Sequence, residues 1–216
     1  MMGGMSTPAK PRRDATENRA ALLAAARVEL NADANASLET IAASAGLSRR
    51  AVYGHFASRD DLLRELLTGG AARVSAAIER SHDADPVVDL ALVAAHLWRE
   101  VESMRVMALF AVRGPFKGTT ADNLTALRSR VLADVTQGQA DGTIRTDVDA
   151  TTLAHLVEEG ALMVLAEATA QQLSAADGHA LVIRVVLGLV GFGWREANEL
   201  IESRPDLTYN ENRVDA

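Results

Sequence analysis

The chain has 216 residues, 48 % of them hydrophobic, with five prolines, no cysteine and a formal net charge of −7. That length and apolar content suffice for one large or two small domains around a substantial core, and the missing thiol excludes disulfides, thiolate catalysis and cysteine metal sites. The charge is uneven: residues 1–64 carry nine Lys and Arg against seven Asp and Glu, and residues 65–216 carry thirteen against twenty-two, an acidic body with a mildly basic head suited to meeting a polyanion at one end only.

The five prolines fall outside the periodic segments and Ala, Leu, Glu and Arg are abundant, which predicts an all-α protein. Residues 1–13 lack an apolar core, so they are no signal peptide. They read as a flexible arm whose Lys10, Arg12 and Arg13 either reach phosphates or the minor groove or stay solvated. A first helix opens at Asp14 or Thr16, with Asp14 and Glu17 as a capping box, and packs Leu22, Leu23, Ala26 and Leu30. Ser37 caps a second helix whose apolar residues Leu38, Ile41, Ala42 and Ala45 repeat at helical spacing, and Gly46 supplies the left-handed residue that ends it. Ser48 caps a third. There Leu47, Val52 and Phe56 turn inward and leave Arg49, Arg50, Tyr53 and His55 outside. Ser58, with Asp61 three residues on, opens a fourth helix toward Ser81, in which Gly69 and Gly70 predict flexure or a close helix crossing.

Beyond it, Asp85 followed by Pro86 is a helix start. A short helix around Val106–Val112 stops at Gly114 and Pro115, and an amphipathic one fills about 120–140 before a loop in which Asp147 and Asp149 read as caps. Two long helices follow, about 150–172 and 175–202, the second opened by Ser174 and Asp177, and both are apolar around most of their circumference. A second apolar face needs a second cover, and another subunit supplies it. The longest apolar stretch there, Val185–Trp194, is too short for the roughly 20 residues of a membrane span and reads as buried helix. The organisation expected is an arm (1–13), a three-helix head (14–60), a helical body (61–204) and a tail (205–216), about nine helices in all.

The block 37–63 resembles the N-terminal helix-turn-helix of the TetR family of transcriptional regulators. The resemblance rests on Ile41 and Ala42, then Ala45, Gly46, Leu47 and Ser48, then Tyr53, His55, Phe56 and Arg59. The chain departs from the family in lacking an aromatic residue near the end of the first helix, and Arg49 and Arg50 stand where small residues or proline are common. The resemblance implies a helix-turn-helix DNA-binding domain followed by an effector-binding and dimerisation domain. The last two helices would form a homodimer, the chain would work in the cytoplasm on a double-stranded operator, and a small-molecule effector would release it. Two recognition helices about 34 Å apart would then read the half-sites of a near palindrome. Arg49 and Arg50 are the expected base readers. Tyr53, His55 and Arg59 are the expected phosphate clamps, with Ser37, Thr40 and Ser48 as hydroxyl or helix-terminus donors.

For the effector the candidates are His96, Trp98, Met104, Met107, Phe110 and Phe116, with His155, Glu159 and Met163, a mixture of adaptable apolar groups and a few polar ones. Ordinary core packing accounts for the apolar members equally well. His155 and Glu158 stand three apart on one helical face, but the order is reversed relative to di-iron bundles and no second copy exists, so neither metal nor cofactor is expected. The rival reading is an all-helical enzyme or small-molecule carrier with an incidental helix-turn-helix, which needs a catalytic constellation the sequence does not offer.

Overall fold

The computed structural model describes residues 10–79 and 81–210, and for 10–14 only the backbone. Every element among the described residues is helical, in the order α1 (Lys10–Ala32), α2 (Leu38–Ser44), α3 (Arg49–His55), α4 (Arg59–Glu79), α5 (Pro86–Val101), α6 (Arg105–Arg113), α7 (Lys117–Ala121), α8 (Thr125–Asp141), α9 (Ala150–Ala170), α10 (Ala175–Leu189) and α11 (Trp194–Ser203). The chain divides into two compact units, one ending at Leu66 and the other starting at Leu67. That boundary lies within α4, a few residues beyond the expected head.

The head is held by one apolar layer. Leu22, Ala26 and Leu30 of α1, Ile41 of α2, Val52 of α3, and Leu62 and Leu63 of α4 are all within 1 % of full burial. The turn between α2 and α3 is a Schellman motif: Leu47 N–H donates to the Ala42 carbonyl and Gly46 N–H to that of Ala43, with Gly46 at φ 68°. The caps act as read, Ser37 Oγ accepting from Thr40 N–H (3.0 Å), Ser48 Oγ from Ala51 N–H (3.3 Å) and Ser58 Oγ from Asp61 N–H (3.1 Å). The start of α1 is different. Its helix runs back to Lys10, so residues 10–13 of the expected arm are helical, and residues 1–9 lie outside the described residues.

In the body, α5 carries the core, packed chiefly on α10 and α8, while α9 packs on α10 and α8. Asp85 and Pro86 open α5 as the sequence predicts, Asp85 accepting from Val87 N–H at 2.9 Å. Trp98 is 2 % exposed and donates its indole N–H to the Ala175 carbonyl at 2.8 Å. A methyl at Gly178 would lie 2.0 Å from the Trp98 ring, so only glycine lets α10 pass so close to α5. Asp89 is fully buried in that apolar run and accepts from Arg130 Nη2 at 2.6 Å, from Arg130 Nε at 2.7 Å and from Asp83 N–H at 2.7 Å. Burial and the neighbouring Asp89 charge push Asp134 up to about 7.

Four expectations need correction. The helix expected over 175–202 is two, because Gly191 takes φ 114° after α10 and α11 restarts at Trp194, which is 67 % exposed rather than buried. The helix expected over 120–140 begins as the separate α7 and a 3-10 turn. Of the two readings of Gly69 and Gly70 the close crossing is the one overturned, since a methyl at either would meet only the flexible Arg73 guanidinium. Part of the expected tail belongs to the body: Leu207 is 1 % exposed, Arg99 donates to the Thr208 carbonyl at 2.9 Å, and Tyr209 Oη donates to Glu102 at 2.9 Å. Residues 211–216 lie outside the described residues. No described helix is long and apolar enough to cross a membrane.

Candidate nucleic-acid interface

The short helix α3 is fixed by Val52 and Phe56 below, and this aims its opposite side at solvent. Arg49, Arg50 and Tyr53 are exposed there, Arg49 with 73 % of its side chain open. Arg50 has no partner among the described residues. Ser37 and Thr40 hold their hydroxyls 2.8 Å apart at the start of α2, and each can still direct a hydrogen or a lone pair outward. One residue joins the two helices across this face: Glu39 Oε1 forms an ion pair with Arg49 Nη2 at 2.9 Å and accepts a hydrogen bond from Tyr53 Oη at 3.3 Å. The guanidinium of Arg49 also lies 5.8 Å from the centre of the Tyr53 ring. Ser37, Thr40, Arg49 and Tyr53 therefore share one polar surface, and Ser48 stands exposed at the start of α3.

Of the remaining two expected contacts, one is engaged inward and the other is only half-exposed. Arg59 turns its guanidinium onto the Ala36 carbonyl (2.8 Å) and onto that of Ala34, pinning the turn that leads into α2. His55 is half-buried, and its carbonyl accepts from Arg19 Nη1 at 3.1 Å. Arg19 also pairs with Glu65 and stacks 4.6 Å from the centre of the Phe56 ring, so one α1 side chain ties α3 to α4. Neither Arg19 nor Glu39 stands out in the sequence. Glu39 resembles an ordinary first-turn acid of α2, and the partner of Arg19 is 46 residues away.

Residues 22–66 match the family model described as "Bacterial regulatory proteins, tetR family". The head is a tetR-family domain. The fold is similar to those of solved transcriptional regulators, over about four-fifths of this chain in each case. FadR of Bacillus subtilis, solved with stearoyl-CoA, aligns with 80 % of this chain and 97 % of its own at 17 % identity and a TM-score of 0.67. SmeT, the repressor of the Stenotrophomonas maltophilia efflux pump SmeDEF, gives 80 %, 91 %, 23 % and 0.61. The TetR-like regulator LfrR of Mycobacterium smegmatis, solved with proflavine, gives 82 %, 96 %, 19 % and 0.62. No curated protein matches the chain.

Outside this tetR-family head, the nine residues proposed for effector contact are not gathered into one pocket. Trp98 is core, and His96 Nδ1 is hydrogen-bonded to Ser81 Oγ at 2.8 Å. His155, Glu159 and Met163 line up four residues apart on the open side of α9, where Met163 is 59 % exposed and Glu159 pairs with Arg113. What remains clustered is Phe110 and Phe116, with ring centres 5.9 Å apart, and Met107, which is buried on the same α6, with Met104 half-buried just before it. A small cleft of about 40 Å³ lies instead between α4 and α8, lined by Ser75, Ile78, Glu79, Ala126, Leu127 and Arg130. Glu158 is occupied by Arg128, at 2.7 to 3.1 Å. Asp149 caps α9 as expected, accepting from Thr152 N–H at 3.0 Å, whereas Asp147 pairs with Arg145. The described residues hold no group of three His, Asp or Glu placed to bind a metal.

Proposed function

We propose that the chain is a ligand-responsive transcriptional regulator, a repressor that binds a near-palindromic DNA operator as a homodimer and leaves it when a small molecule occupies the body. The observation that carries this is the exposed α3 surface of Arg49, Arg50 and Tyr53, held out from a buried three-helix scaffold that matches the tetR-family head. Arginine can grip guanine bidentately in the major groove, while Tyr53 and the hydroxyls of Ser37, Thr40 and Ser48 suit phosphates. Arg59 can act on a phosphate only through the guanidinium atoms that its bonds to Ala34 and Ala36 leave over, and His55 only through the part of its ring that is exposed.

Pairing through α9 and α10 is supported by their outer faces. Leu156 is 42 % and Met163 59 % exposed, and nothing lies within 4 Å of where a Gly188 side chain would stand, an apolar surface with a close-approach point that a second copy would cover. The known ligands of related folds, stearoyl-CoA and proflavine, differ so much in charge and shape that they support an effector without choosing its class. Whatever its identity, it acts only by binding the DNA-incompetent arrangement better than the competent one.

The test is electrophoretic retardation of the duplex upstream of the chain's own gene. The wild type should retard it as a dimer, and Arg49→Ala with Arg50→Ala should weaken binding at least about tenfold, each bidentate contact being worth roughly 1–3 kcal/mol. Equal retardation of operator and scrambled duplex by the wild type would sink the proposal.

A further inference from the structure

Glu39 is an acid in the middle of a surface that must meet a polyanion. It is a first-turn residue of α2, where the helix dipole favours it, but the same position in the turn would serve with the side chain pointing anywhere. Here its Oε1 faces Arg49 Nη2 in an ion pair at 2.9 Å and accepts a hydrogen bond from Tyr53 Oη at 3.3 Å. With side chains 73 % and 45 % exposed, the Arg49–Glu39 pair is too solvated to matter for folding. Its effect falls on what Arg49 can do. A guanidinium has five N–H donors, so Arg49 can stay on Glu39 and still offer a free edge to a base. Toward a phosphate the pair is nearly neutral, and the carboxylate repels the backbone.

We propose that Glu39 is a specificity-determining positioning residue, which holds Arg49 oriented as a base reader and withdraws it from sequence-independent phosphate binding. Arg50, its unpartnered neighbour, keeps full charge for general attraction. This rests on the DNA-reading function proposed above for the same face.

The test uses the full-length protein, a duplex selected by the wild type from a randomised pool, and a scrambled duplex of the same composition. Binding is measured over a range of salt concentrations for wild type, Glu39→Gln and Glu39→Ala, alone and combined with Arg49→Ala, with circular dichroism confirming that each variant folds. Glu39→Gln removes the charge and keeps an acceptor. It should tighten binding to the scrambled duplex about tenfold and steepen the salt slope by about one, because one more cation is free to displace counterions. The selected duplex should gain less than about threefold, so discrimination falls. Glu39→Ala should also broaden the sequences recovered on reselection. In the Arg49→Ala background the slope change should vanish and the gain on the scrambled duplex should shrink to the relief of the carboxylate's own repulsion. Unchanged discrimination and salt slope in Glu39→Gln, or equal changes with and without Arg49, overturn the assignment. A wild type that does not distinguish the two duplexes overturns the DNA-reading function itself, and this inference with it.

Discussion

The head and the body place their polar groups in opposite ways. In the head, Leu22, Leu30, Ile41 and Val52 fill a single apolar layer, and the charged side chains lie on the outside or at its margin. In the body, Asp89 and His179 sit inside the core at 0 % and 1 % exposure, Asp89 tied to Arg130 far along the chain and His179 edge-on to the Tyr209 ring with its Nε2 unpartnered. A head of this kind needs only to be folded and presentable, so its surface can be tuned for a partner at little cost in stability. A body with interior charge depends on each ion pair staying matched.

The largest test of that contrast is Asp89→Ala. It strands the Arg130 guanidinium, 18 % exposed, without its carboxylate, and loss of one member of such a pair costs about 3–5 kcal/mol. Urea unfolding of the body measures it, and a loss below about 1 kcal/mol would class the pair with those on the surface.

Next in size is an acid effect. Burial, with Arg99 and His96 adding positive charge nearby, lowers His179 to about 4 from an ordinary 6.5. The unfolded chain therefore takes up this proton first. The stability linked to neutral His179 is complete above pH 6.5 and lost as pH falls through 4, at most about 3 kcal/mol. Asp134, raised to about 7, has the opposite sign: its contribution is full below 3.8 and lost as pH rises through 7. Comparing unfolding midpoints of the wild type and His179→Phe from pH 7.5 to 4 separates the two, since the variant should lose the acid-side decline and keep the Asp134 slope. The same decline in both proteins would assign it to other groups.

The smallest expected effect belongs to the head. A side chain at Gly54 of α3 would meet nothing within 4 Å, so Gly54→Ala should stabilise the head by about 0.5–1 kcal/mol. Thermal unfolding reads this, and a destabilisation would mean that α3 is not the regular helix described.

The same contrast governs what could be read from the sequence. The head's signals are local: a serine and the amide three residues on, a glycine at a helix end, an apolar face at helical spacing. The caps at Ser37, Ser48 and Ser58 and the turn at Gly46 were legible for that reason. The body's decisive pairs are remote, Arg130 lying 41 residues from Asp89 and Tyr209 lying 107 from Glu102. A lone Asp in PVVDLALVAAHLW gives no hint of its partner. The break after α10 was missed because apolar periodicity runs on through Val190 and Phe192 while Gly191 reverses the backbone. On the reading face, the arginines and the tyrosine were legible as exposed polar residues of a helix start. Glu39, which orients two of them, was not, because one acid has many uses in a first helical turn.

The segment 204–210 bears on how the protein is handled. Arg204 is clasped by Asp83 and Asp206, Leu207 fills a hydrophobic seat, and Tyr209 closes onto Glu102. Shortening the chain to Ser203 would unroof apolar surface and leave a carboxylate without its phenol, making the body sticky and inclined to precipitate. Affinity tags and fluorescent fusions therefore belong after Asn210, and a clipped preparation that fails to respond to ligand is best inspected by mass spectrometry for this missing clasp.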